Sequence, residues 1–114
     1  MSVFPPTSSS APAPPDLSVR LGPLNLAHPF INASGTMEIF DLAEVFGPDL
    51  LTAPPVSVYV PKTITVDARV GNPPPRILET PGCMINAIGL SGEGLEEFAA
   101  DRLPRLLELP CPLL

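Results

Sequence analysis

Proline and glycine recur so often along this chain that every regular element must be short: 18 Pro and 8 Gly stand among 114 residues. Proline removes a backbone donor, and glycine loses more freedom on ordering than any other residue. At this density a polar chain would be disordered. This chain is not polar. Its residues are 45% hydrophobic and its mean hydropathy is +0.30, so it has apolar surface to bury. Aromatics are few, with five Phe, one Tyr and no Trp, which leaves a core to be built from Leu, Ile, Val and Ala. The length suits one small domain. No apolar run reaches the roughly 18 to 20 residues that cross a bilayer, because Pro, Gly or a charge breaks each one.

Six Lys+Arg stand against 12 Asp+Glu, a net charge of −6. That balance argues against nucleic acid or an anionic membrane as the partner. The N-terminus lacks the basic region and the continuous apolar stretch of a secretory signal, so a cytoplasmic location is the default. Cys83 and Cys111 are the only cysteines, without metal-ligand spacing, and read as reduced thiols. No metal site is expected.

Residues 1–15 hold five Pro and four Ser without a charge, and are expected to form a disordered leader. From residue 16 onward a structured domain is expected. Leu17, Val19 and Leu21 alternate with polar residues, Gly22-Pro23 breaks the run, and Leu24 and Leu26 resume it, which predicts a β-hairpin. Phe30-Ile31-Asn32-Ala33 reads as a buried strand ending in a tight turn at Ser34-Gly35. Ile39, Leu42, Ala43 and Phe46 have helical spacing, and Gly47-Pro48 stops that helix. A second buried strand is expected over 56–60, leading into Pro61-Lys62-Thr63. The punctuated stretch 70–94 reads as a long, stiff loop anchored by Ile77, Leu78, Met84, Ile85, Ile88 and Leu90. A helix should then start near Leu95, with Leu95, Phe98, Ala99 and Leu103 on one face and a kink or restart at Pro104. The final 109–114 resembles the opening of another strand. Strand, helix, strand, loop, helix, strand is the alternation of an α/β fold with a parallel sheet. Such a sheet needs cover on both faces, so an incomplete barrel or doubly wound sheet is expected, truncated at residue 114.

Phosphate-loop, zinc-protease and serine-hydrolase signatures are absent from the sequence. His28, before Pro29, has no nearby carboxylate or nucleophile in sequence and suits a solvent-facing or capping role. Glu93, Glu96, Glu97 and Asp101 suit the start and solvated face of a helix. Ser34-Gly35 could set a hydroxyl and a close backbone against a planar ligand at the mouth of a barrel; turn chemistry accounts for the pair equally well. Lys62, the only lysine, follows an expected buried strand and could neutralise an anionic ring or carboxylate. The alternative is a snorkelling surface lysine. Asn86 stands in the apolar run 84–90, where its amide must find a ligand or, more commonly, loop backbone.

Lys62-Thr63, then Gly71-Asn72-Pro73-Pro74-Pro75-Arg76, then Glu79 to Leu90 with Asn86-Ala87-Ile88-Gly89-Leu90 closely resemble the dihydroorotate dehydrogenases. Leu17 to Gly35, closing on Asn32-Ala33-Ser34-Gly35, resembles that family's N-terminus, and the resemblance covers about residues 17–114. It implies an FMN enzyme on a TIM (β/α)8 barrel, preceded by a β-hairpin, that oxidises dihydroorotate to orotate in pyrimidine biosynthesis. It further implies that Ser34, Gly35, Lys62 and Thr63 contact FMN. Lys62, Asn86, Ala87, Ile88, Gly89 and Leu90 would meet the substrate. The wording of 86–90 is nearer the soluble class 1 enzymes of B-type, which implies an iron–sulfur FAD subunit passing electrons to NAD, and a homo-oligomer when full-length. The family's catalytic base lies beyond the point matching Leu114, so Cys111 is not that base. A chain of this length alone is expected neither to fold cooperatively nor to turn over dihydroorotate. Ser91-Gly92-Glu93-Gly94 departs from the family's usual Asn-Pro-Gly, Pro61 precedes the lysine, and Cys83 replaces a small residue. A non-catalytic remnant or interaction module, or a related flavin barrel acting on another pyrimidine, are the alternatives.

Overall fold

The computed structural model describes residues 13–114. The expected leader lies outside the described residues except for 13–15, which are exposed and without regular structure. The first hairpin forms where alternation placed it: β1 (Val19–Leu21) pairs antiparallel with β2 (Leu24–Leu26), turning on Gly22-Pro23. Of its apolar residues only Leu26 is buried.

The run 30–33 is not a ladder strand, which corrects the sequence reading. Phe30 and Ile31 are exposed, and the segment instead lies beside 57–60 through two isolated links. The Ser57 N–H donates to the Phe30 carbonyl at 3.0 Å. The buried Asn32 amide brackets Val60, accepting from its N–H at 2.8 Å and donating to its carbonyl at 2.7 Å. An amide side chain thus replaces a backbone rung, satisfying polar groups that burial would otherwise leave unpaired. The expected turn follows, closed by the Thr36 N–H on the Ala33 carbonyl at 3.1 Å.

Helix α1 (Ile39–Phe46) forms as its spacing requires and ends on Gly47, whose φ of 113° only glycine adopts readily. Ile39 and Ala43 point inward, but Phe46 is 75% exposed, so the buried face spans a single turn. A short α2 (Asp49–Thr52), not expected, follows Pro48. Residues 56–59 are buried, with Val58 at 0% and Tyr59 at 2% exposure. Rather than a full strand, this segment makes one parallel bridge, Tyr59 to Leu113. Tyr59 N–H donates to the Pro112 carbonyl at 2.9 Å and Leu114 N–H to the Tyr59 carbonyl at 3.1 Å. The described residues thus form a partial α/β arrangement, in which the end of the chain meets Tyr59 through one parallel bridge rather than as a strand of a parallel sheet. No closed barrel is present among the described residues, whose two sheets are both two-stranded hairpins.

The stretch 70–94 is not one stiff loop. It contains a second hairpin, β3 (Ile77–Thr80) against β4 (Cys83–Asn86), turning on Pro81-Gly82. Ile77, Leu78, Met84, Ile85 and Leu90 are all exposed, so they do not anchor it to this core. Proline density hid the hairpin, although all three consecutive prolines fall just before β3 and cost it no ladder donor.

The last helical stretch runs as α3 (Leu95–Glu97), a π turn (Phe98–Arg102) and α4 (Leu103–Leu106). Pro104 has no N–H to offer Ala100, and the ladder passes that point with the Leu103 N–H reaching back five residues to the Phe98 carbonyl. The extra residue moves the inward face. After Phe98 the next buried positions are Leu106 and Leu109, while Leu95 and Ala99, expected inside, are exposed. Ile39, Val56, Tyr59, Phe98, Leu106 and Leu109 form the core, and the Arg105 guanidinium lies 4.0 Å above the Phe40 ring to tie α4 to α1.

Candidate functional site

Two segments leave the buried centre side by side, and the candidate site lies where they emerge. Asn32 grips Val60, so the residues just beyond each, Ser34-Gly35 and Lys62-Thr63, are forced together. The Ser34 hydroxyl donates to the Pro61 carbonyl at 3.0 Å and lies 3.3 Å from the Thr63 hydroxyl. Since the Ser34 proton is committed to Pro61, Thr63 is the donor of that pair. Gly35 has φ of 73°, and a Cβ there would sit 3.6 Å from Lys62 Cγ. Glycine therefore keeps a bare backbone face beside the lysine stem.

Lys62 is exposed, and its ammonium donates to the Ser91 carbonyl at 2.5 Å and the Ser91 hydroxyl at 3.3 Å. Two of its three protons are directed there, leaving one for an external acceptor. A cleft of about 370 Å³ opens beside it, lined among others by Glu38, Lys62, Thr63, Ser91, Glu93 and Arg102. Glu93 is not on a solvated face, in contrast to its sequence reading. Its carboxylate accepts from Arg102 Nε at 3.1 Å, and Arg102 Nη1 meets Glu38 at 2.6 Å. Glu96, Glu97 and Asp101 remain exposed as expected. Burial alone would lower the Arg102 pKa, but Glu38, Glu93 and Asp41 outweigh it and raise it.

Residues 86–90 are held by a different set of contacts. The Asn72 N–H donates to the Ile88 carbonyl at 3.0 Å, and its side-chain amide donates to the Ala87 carbonyl at 2.9 Å. Arg76 Nε in turn donates to the Asn72 carbonyl at 2.5 Å, and the Arg76 carbonyl accepts from the Ala87 N–H at 2.8 Å. Gly89, with φ of 84°, lies so close that a Cβ would stand 2.7 Å from Asn72 N. The Gly71–Arg76 stretch is thus the mould for 86–90, a role its prolines did not reveal. Asn86 itself is exposed at the end of β4, opposite Ile77. The two groups are joined where Leu90, in a left-handed conformation with φ of 53°, delivers the chain to Ser91 and so to Lys62. Leucine is rarely found in that region, and the strain is local to the junction.

His28 is half-buried rather than solvent-facing: its carbonyl accepts from Ser57 Oγ, its ring packs 5.6 Å from Phe30, and its Nδ1 has no partner among the described residues. Burial raises the Cys111 thiol pKa, which makes it a poor proton acceptor at neutral pH. No group of residues suited to a metal ion occurs among the described residues. Among the described residues no helix is long and apolar enough to cross a membrane.

Residues 16–112 match the family described as dihydroorotate dehydrogenase. The chain is similar to the protein named dihydroorotate dehydrogenase B (NAD(+)), catalytic subunit, of Pelobacter propionicus, at 41% identity over 98 residues, 86% of this chain and 31% of that protein. The protein of the same name from Geotalea daltonii is 38% identical over 102 residues, covering 90% of this chain and 32% of the relative. That from Desulforudis audaxviator is 41% identical over 97 residues, 85% of this chain and 30% of the relative. The chain spans about a third of the length of these curated relatives.

Proposed function

The chain belongs to the dihydroorotate dehydrogenase family, and from that membership we propose that it supplies the N-terminal part of a TIM (β/α)8 barrel that binds FMN and oxidises dihydroorotate to orotate. The observation that carries the reading is the convergence of Ser34, Gly35, Lys62 and Thr63 just beyond two adjacent extended segments, one of which pairs in parallel with residue 113. In parallel barrels, sites lie at such strand ends.

The donor set fits a flat ring that gains negative charge on reduction. Gly35 offers backbone without a side chain, Ser34 and Thr63 supply hydroxyl oxygens, and Lys62 supplies positive charge beside them. FMN, when bound, accepts the hydride taken from the substrate. The Lys62 ammonium would stabilise the negative charge that develops on the ring and would also reach the substrate. Ser91 holds it in place beforehand, so less reorganisation is needed when that charge appears.

Asn86, Ala87, Ile88, Gly89 and Leu90 form the substrate wall, with the Asn86 amide and loop backbone meeting the polar edge of the pyrimidine. The Asn72 contacts give that wall a fixed backbone course. The proton acceptor is assigned to no residue of this chain, and Cys111 is unsuited to the role. The relatives' names, which print B, NAD(+) and catalytic subunit, support a B-type assembly with a second subunit; we propose that this partner is an iron–sulfur FAD protein that passes electrons to NAD. A homo-oligomeric catalytic subunit in the cytoplasm completes the reading.

The test uses the protein as its gene encodes it. Purified protein should carry a flavin absorbance band that dihydroorotate bleaches anaerobically. Lys62→Met should slow that bleaching by roughly 10²- to 10³-fold, about 3 to 4 kcal/mol of lost charge stabilisation. Protein that neither retains FMN nor reduces it with dihydroorotate would overturn the reading.

A further inference from the structure

Lys62 is held by Ser91, which lies in an irregular segment beside the isolated Arg69–Gly92 bridge. The Gly92 N–H and carbonyl pair with Arg69 at 2.9 and 2.8 Å, and a side chain from elsewhere adds a second tie, toward the loop before α1. Two residues beyond Ser91, Glu93 accepts from Arg102 Nε at 3.1 Å, while the same guanidinium meets Glu38 through Nη1 at 2.6 Å. Glu38 immediately precedes α1, two residues after the turn at Ser34-Gly35 closes on Thr36. One planar cation therefore joins the two loops that flank Lys62. An arginine suits this position because its fork presents donors in fixed directions to two carboxylates at once.

The clasp is partly shielded, with side-chain exposures of 37% for Arg102 against 34% for Glu38 and 30% for Glu93. It is also placed by the fold. Arg102 is the last residue of the π turn, and the extra residue in that turn shifts the register of the helical stretch toward the core. The cleft beside Lys62 is lined by all three clasp residues. This arrangement has no counterpart in the contacts that hold residues 86–90, which run through Asn72 and Arg76.

We propose that Arg102 is a positioning residue for Lys62: by bridging Glu38 and Glu93 it ties the 34–38 loop to the 91–94 loop, and so sets the Ser91 carbonyl that orients the lysine ammonium toward the flavin. The inference rests on the flavin reading above. If Arg102 is lost, the 91–94 segment keeps its backbone bridge to Arg69 but loses its tie to the loop before α1, so the Ser91 oxygen shifts relative to Ser34-Gly35 and the ammonium no longer stands where charge would develop on a reduced ring. Misplacement of a group by about 1 Å can cost up to 10²-fold in rate.

The experiment compares wild type, Arg102→Met and the isosteric Glu93→Gln in the protein as its gene encodes it. FMN affinity is read by fluorescence quenching and the flavin midpoint potential by anaerobic dye equilibration. Arg102→Met should weaken FMN binding by roughly tenfold and shift the potential to more negative values, because the reduced anion loses a well-placed cation. Glu93→Gln, which keeps shape and removes only charge, should move both in the same direction by less. Arg102→Met in a Lys62→Met background should produce no further shift in potential, as expected for two residues acting through one contact. Should Arg102→Met fail to fold, the Glu93→Gln potential decides alone. An unchanged potential in the folded variants, even with lower thermal stability, would overturn the inference and leave the clasp a purely structural one. Wild-type protein that binds no FMN would instead overturn the flavin reading on which it rests, so the two failures are distinguishable.

Discussion

Tyr59 joins the buried centre to the loop that leads into α1, because its hydroxyl donates to the Met37 carbonyl at 2.8 Å while its ring fills the core. Tyr59→Phe keeps the ring and removes the bond, so a loss of about 1 kcal/mol is expected in denaturant unfolding of the encoded protein. Burial raises the phenol above its ordinary value of 10.0. The folded form therefore ionises at higher pH than the unfolded one, and the contribution is intact below about pH 10 and falls as pH rises beyond it. Tyr59→Phe should flatten that alkaline decline. Gly89→Ala combines an unfavourable φ of 84° with a Cβ 2.7 Å from Asn72 N. A destabilisation of about 2 kcal/mol or more is expected in the same assay, and an unchanged midpoint would show that Asn72 does not grip this loop. Lys62 was legible from sequence because it is the only lysine and follows a buried apolar run. Arg102 was not, because its partners are 64 and 9 residues away and helical periodicity treats it as one more charge on a surface.

Short elements account for most of the differences between expectation and structure. The hairpin of β1 and β2 and the start of α1 rest on local alternation and spacing, which sequence displays directly. The run 30–33 misled because its extended course is held by the Asn32 side chain rather than by a ladder. Residues 77–86 were obscured by neighbouring prolines, although Pro81-Gly82 is an ordinary turn signal between two four-residue strands. The restart at Pro104 was anticipated, but not the π turn that shifts the inward face to Leu106. Stability should differ between these elements. All eight residues of β3 and β4 are exposed, whereas the Tyr59 and Leu114 amides bond across the buried bridge. Hydrogen exchange of the 114-residue chain should therefore be complete in 77–86 before it begins at Tyr59. Equal protection in both regions would contradict this account.

Large apolar side chains are exposed over much of the chain, including Leu78 and Ile85, which oppose each other in one hairpin, and Val45 and Phe46 on α1. The buried centre that balances them is a cluster of six residues. Small cores of this kind give little margin over conformational entropy. The isolated 114-residue chain is therefore expected to bind a dye specific for exposed apolar surface and to unfold without a sharp thermal transition; a cooperative transition without dye binding would refute this. The α/β alternation, the turns at Gly22-Pro23 and Gly47-Pro48, and the likeness of residues 17–114 to one family were all set by local order of residues. Local order acts through neighbours three or four positions apart, and a sequence records those neighbours directly. The grip of Asn32 on Val60, the parallel bridge from Tyr59 to Leu113 and the Glu38–Arg102–Glu93 clasp arise otherwise. Each joins groups that only packing brings within hydrogen-bonding reach, and so each is a property of the folded chain.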